Sequence, residues 1–113
     1  MISVGRTKCP VLQKEKHHIY GAVRGVSDIR AINCYIREQI RKTKSRSKIT
    51  ELVRRSLYLY TLTYAPAWKK AFEGKIRKMR DVAKEEYAKT ARTANKQLDK
   101  LGLGGRRYDE KIG

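Results

Sequence analysis

Residues 41–48 read Arg41-Lys42-Thr43-Lys44-Ser45-Arg46-Ser47-Lys48, which puts five cations in eight residues. The segment Ile-Thr-Glu-Leu-Val-Arg-Arg-Ser-Leu follows at once, with the apolar spacing of a helix. Cations beside a helix start, where backbone N–H groups are free, are a phosphate-binding arrangement. Ser47 is the expected N-cap, and Lys42, Lys44, Arg46, Ser47 and Lys48 are the expected phosphate contacts. Such contacts position a protein on nucleic acid without reading its sequence. The bland alternative is a solvated loop.

The whole chain fits that chemistry. Its 113 residues carry 28 Lys and Arg against 11 Asp and Glu, a formal net charge of +17. Self-repulsion at that charge is relieved by a polyanionic partner. Apolar content of 40% is that of a folded chain rather than a disordered basic tail. No Ser-His-Asp or Cys-His context, P-loop or Gly-x-Gly-x-x-Gly motif is present, so an enzyme is not expected, nor is a cofactor or metal. Cys9 and Cys34 lack metal-ligand spacing with His17 and His18 and are expected to be free thiols in a reducing compartment. With no apolar run of membrane-spanning length and no signal-peptide pattern at the start, the expected location is cytoplasmic and nucleoid-associated.

Four segments position these residues. Residues 1–16 read as a flexible basic arm. Residues 17–26, His-His-Ile-Tyr-Gly-Ala-Val-Arg-Gly-Val, read as a short strand. Ile29, Ile32, Ile36 and Ile40 form one stripe of an amphipathic helix over 28–42. A second helix runs from the basic loop to about residue 62, with Leu52, Val53 and Leu57 inward; residues 57–64, Leu-Tyr-Leu-Tyr-Thr-Leu-Thr-Tyr, also alternate like a strand. Pro66 opens a long basic helix over 66–101, alanine-rich and weakly packed in its far half, and Gly102 ends it. Residues 102–113 read as a flexible tail.

Strand, helix, basic turn, helix is an order in which the lone strand needs a partner, and a two-fold dimer supplies one. Over residues 18–60 the chain resembles the ribbon-helix-helix family of DNA-binding proteins. The local match is Ser45 to Leu57, where Glu51-Leu52-Val53-Arg54-Arg55-Ser56-Leu57 follows the family's Ser-rich turn and helix. The resemblance implies a mainly α dimer, with one short strand and two helices per chain, and the long helix lies outside it as an extension. Its dimer core would hold Ile19, Val23, Ile29, Ile32, Ile36, Leu52, Val53 and Leu57. The ribbon would enter the major groove and present His18, Tyr20 and Arg24 to base edges. Two family departures are Gly21 and Gly25 in the strand and Ser27 in place of a proline before the first helix.

The expected function is that of a dimeric, sequence-specific double-stranded DNA-binding regulator, most often a repressor in this family. Alternatives are a DNA-segregation or relaxosome accessory protein, a nucleoprotein coating DNA with little sequence preference, and a basic helical RNA-binding protein. Residues 66–101 offer either a second basic face to DNA or a face to neighbouring protomers or another protein partner, and no membrane partner is expected. Tyr58, Tyr60 and Tyr64 read as dimer core rather than as a stacking surface for single strands.

Overall fold

The computed structural model describes Cys9, residues 23–105 and residues 107–112. Its elements are α1 (Val26–Lys42), α2 (Arg46–Leu62), α3 (Pro66–Ala71) and α4 (Ile76–Lys100). The isoleucine stripe of α1 points inward, with Ile29, Ile32, Ile36 and Ile40 all buried. Asp28, in the first turn of α1, accepts from the Arg24 N–H at 2.7 Å. That places a negative charge where the helix dipole favours it.

The turn to α2 has only three residues. Thr43 closes α1 by donating its N–H to the Ile40 carbonyl. Ser45, not Ser47, then caps α2, its Oγ accepting from the Lys48 N–H at 3.3 Å. The β-prone run after Leu57 stays helical to residue 62 because Leu59 is completely buried there. Packing overrides the local preference.

The continuous helix expected over 66–101 is interrupted at residues 72–75, where Gly74 adopts φ 89°, a conformation glycine reaches without strain. The break lets α4 lie against both α1 and α2. Asn33 meets Thr90 and Thr43 meets Gln97, so α1 and α4 run parallel. Ser56 meets Asn33 and Thr63 meets Arg80, so α2 runs antiparallel to both. The alanine-rich half of α4 is not weakly packed: Ala83, Ala91 and Ala94 are essentially inaccessible. Small side chains let the neighbouring helices approach closely.

This up-down-up bundle replaces the expected ribbon-helix-helix dimer with its helical extension. No strand occurs among the described residues, which include Val23 and Arg24. His18, Ile19 and Tyr20 lie outside them. The physical reason is α4. Ile29, Ile32, Ile36, Leu52 and Val53, expected to meet a second copy, share one buried cluster with Met79, Val82, Tyr87 and Leu98 of α4. Val23 belongs to the same cluster, and Leu57 packs half-buried on it. The core closes within one chain.

Two further expectations change. Cys9 and Cys34 are joined in a disulfide, with Cα atoms 5.5 Å apart, rather than left as free thiols. A reducing compartment opposes such a bond, so the cysteines give no argument for one. Residues 103–105 and 107–112 are also attached to the bundle. Gly102 (φ 70°) starts a Schellman turn in which Leu103 N–H reaches the Leu98 carbonyl at 2.9 Å. Farther on, Asn95 exchanges two hydrogen bonds with the Tyr108 backbone at 2.8 and 2.9 Å.

The three long helices share a buried polar joint. The Asn33 carboxamide donates to the Ile29 carbonyl at 3.0 Å and accepts from Ser56 and Thr90 hydroxyls. Thr90 also receives Arg37 Nη1 at 3.3 Å. Arg37 Nη1 stands 3.0 Å from Glu86 Oε1, yet its hydrogens point to Thr90 and to the Glu86 carbonyl, so this contact is electrostatic and Oε1 accepts no hydrogen bond among the described residues. Asn33→Ala removes the shared acceptor and leaves two buried hydroxyls without it. The substitution is expected to lower unfolding free energy by about 2–4 kcal/mol, read as a lower urea midpoint at unchanged slope. A shift below about 0.5 kcal/mol, the range of an ordinary surface substitution, contradicts the joint's role.

Candidate nucleic-acid interface

The basic loop does not act as one unit. Arg46 is half-buried and donates to the carbonyls of Leu103 and Gly104, which ties it to the C-terminal segment. Lys48 is exposed, with Nζ 3.9 Å from Glu51. Ser47 is exposed and shares a hydrogen bond with Ser45 at 3.0 Å. Lys42 and Lys44 are exposed, and neither is in an ion pair among the described residues. Arg24 is exposed beside Asp28 at the opposite end of α1.

The sequence marks residues 66–101 as a further basic segment; what it does not show is that α4 returns beside Arg41. Arg41 joins Thr93, Lys96, Gln97 and Lys100 around a groove of about 270 Å³ at the seam of α1 and α4. No carboxylate lines it. Gln97 fixes the seam: it is 92% buried, and its amide donates to the Thr43 carbonyl at 2.9 Å. Arg41 and Lys42 in the last turn of α1, and Lys100 in the last turn of α4, suit the negative ends of their helix dipoles. That does not account for Lys96, which sits one turn from Lys100 as a like charge. The spacing of 93, 96, 97 and 100 marks one helical face in the sequence. That Arg41 faces it follows only from the return of α4 beside α1.

A larger groove, about 570 Å³, follows the outer face of α2 and is lined by Arg46, Ser47, Thr50, Glu51, Arg54, Arg55 and Tyr58. Its charge is partly cancelled, because Glu51 pairs with Arg55 at 3.3 Å and with Lys48. The smaller groove therefore keeps more of its positive charge uncompensated.

At the far end of the bundle, Tyr60 and Tyr64 meet edge to face at 5.5 Å, and their hydroxyls hydrogen-bond at 2.9 Å. The Arg80 guanidinium lies 3.9 Å above the Tyr64 ring. Tyr58 and Tyr64 are each about half exposed in the single chain. No helix among the described residues is long and apolar enough to cross a membrane. No protein-family model, curated protein or solved structure matches the chain.

Two phenols titrate above their ordinary range. The hydrogen bond between the Tyr60 and Tyr64 hydroxyls is the main cause at Tyr60, followed by burial. At Tyr87 burial is the main cause, and the charge of Asp109 adds to it. The folded protein therefore keeps these protons to higher pH than the unfolded chain does. The stability they contribute is complete below the ordinary tyrosine value of 10.0 and falls as pH rises beyond it. Relative to Tyr87→Phe, the parent protein is expected to lose stability above about pH 10, by up to about 1.4 kcal/mol per pH unit until the folded phenol ionises. Denaturation of both proteins across that range checks this, and parallel curves contradict it.

Proposed function

We propose that the protein binds double-stranded DNA through the phosphate backbone, as a structural nucleoprotein with little preference for sequence. The observation that carries the reading is the carboxylate-free groove in which Arg41 from α1 meets Lys96 and Lys100 from α4. Lys42 and Lys44 are exposed on either side of Thr43, whose carbonyl receives the Gln97 amide of the groove. Holding these cations together in the free protein costs electrostatic energy, and a row of phosphates offsets the cost. Thr93 and Gln97 add polar groups at the same place.

Backbone recognition is favoured over base reading on physical grounds. The base-reading role belonged to a ribbon, and the fold has no strand among its described residues. Phosphate contacts set position and affinity but carry no sequence information. The net charge of +17 suits such binding.

Five neutralised phosphates, one for each of Arg41, Lys42, Lys44, Lys96 and Lys100, give a slope of about −4.5 in log affinity against log salt. Affinity is then expected to fall by several hundred-fold, roughly, between 50 and 200 mM salt. The combined variant Arg41→Ala, Lys96→Ala, Lys100→Ala should bring the slope to about −2 and weaken two unrelated duplexes equally. Fluorescence anisotropy with two 24-base-pair duplexes of scrambled relation measures both quantities. An unchanged slope in a folded variant contradicts the assignment, as does a strong preference for one duplex.

A further inference from the structure

The exposed aromatic surface at the end of α2 lies on a different side of α4 from the groove. Arg80 meets α2, whereas Lys96 meets α1. The two residues are sixteen apart, which is about 24 Å along the helix and roughly 160° around it. Whatever Tyr64 contacts is therefore not the phosphate row at Arg41.

Tyr64 is half-exposed, yet it is held in three ways. Its hydroxyl bonds Tyr60, the two rings meet edge to face, and the Arg80 guanidinium lies over its ring. Arg80 is fixed in turn by the Thr63 carbonyl at 2.9 Å and the Thr63 hydroxyl at 3.4 Å. Thr63 itself is completely buried, which anchors the clamp in the core. An exposed aromatic side chain ordered beforehand gives up little entropy when a second flat group stacks on it. A cation against one face of the ring adds to its attraction for an electron-rich base nearby.

Flanking charges complete the surface. Arg77 and Lys84 lie one turn to either side of Arg80 on the same stripe of α4, and both are exposed. Neither is in an ion pair among the described residues. Asp81 is the carboxylate whose charge reaches the cluster, and it acts on Tyr60. Aromatic rings beside a track of cations are how sequence-tolerant proteins hold unpaired nucleotides, with the base stacked and the phosphate neutralised.

We infer that Tyr64, backed by Arg80, is a stacking platform for an unpaired nucleotide base, with Arg77 and Lys84 meeting the adjoining phosphates. This goes beyond duplex binding: it gives the protein a second nucleic-acid site on the α2 side of α4, selective for bases that are out of the helix.

The test compares three labelled 12-mers of equal phosphate number by anisotropy at one salt concentration: oligo(dT), oligo(U) and an abasic strand. The protein is expected to prefer at least one base-bearing strand to the abasic strand by about tenfold. Tyr64→Ala should abolish that preference and leave abasic-strand binding unchanged, while Tyr64→Phe, which keeps the ring, should retain most of it. The two base-bearing strands distinguish deoxyribose from ribose as the preferred source. Equal affinity for all three strands overturns the inference, as does an equal loss on all of them in Tyr64→Ala. Absence of binding to all three strands also overturns it. Duplex affinity of Tyr64→Ala, measured alongside, separates these outcomes from failure of the groove: it stays at the parent value if the groove holds duplex, whatever becomes of the platform.

Discussion

The Asn33 carboxamide is the point at which three helices are made one unit. It is completely buried on α1 and is reached by Ser56 from α2 and by Thr90 from α4. A polar group at that depth is costly unless its partners are placed correctly, so the joint penalises any sliding of one helix past another. Around it the isoleucine stripe of α1 and the alanines of α4 close the rest of the core. The register that satisfies Asn33 is also the register that brings Gln97 to Thr43 and sets Arg41 beside Lys96 and Lys100. The basic groove is thus a consequence of core geometry, built on helices rather than on the basic loop.

Charge is then sorted by the bundle rather than spread over it. Within the bundle, Arg37 and Lys89 are drawn to Glu86, and Arg46 is drawn to the C-terminal backbone. On the surface, Arg92 pairs with Glu110 and Arg107 with Asp99. Exposed pairs of this kind contribute little to stability, but they cancel local field. The seam of α1 and α4 escapes that cancellation, and the stripe through Arg77, Arg80 and Lys84 escapes it on the α2 side. On the two proposals above, these surfaces on different sides of one helix would hold two segments of nucleic acid at once.

Much of this was legible in the residues. The isoleucine spacing of α1, the stop at Gly102 and the length of α2 follow from period, capping and turn chemistry. What was not legible was which surface each stripe would meet. Ile29, Ile32, Leu52 and Val53 have the same pattern whether they face a second copy or α4, and periodicity cannot separate the two. Gly74 was the available signal for the return of α4, but a single glycine inside a helical pattern is usually tolerated. The pairing of Cys9 with Cys34, twenty-five residues apart, needs spatial proximity that spacing does not encode. Five cations in the loop drew attention to residues 41–48, while the groove takes one of its three cations from there and the others from a helix more than fifty residues on.

Backbone amide shifts of the 15N-labelled protein, followed as a 12-base-pair duplex is titrated in, test the central claim most directly. The account predicts that the largest changes fall at Arg41, Thr93, Lys96, Gln97 and Lys100, extend into Lys42 and Lys44, and have the same pattern with a second, unrelated duplex. Changes confined to the outer face of α2, at Ser47, Glu51, Arg54 and Tyr58, with a different pattern for each duplex, would contradict it.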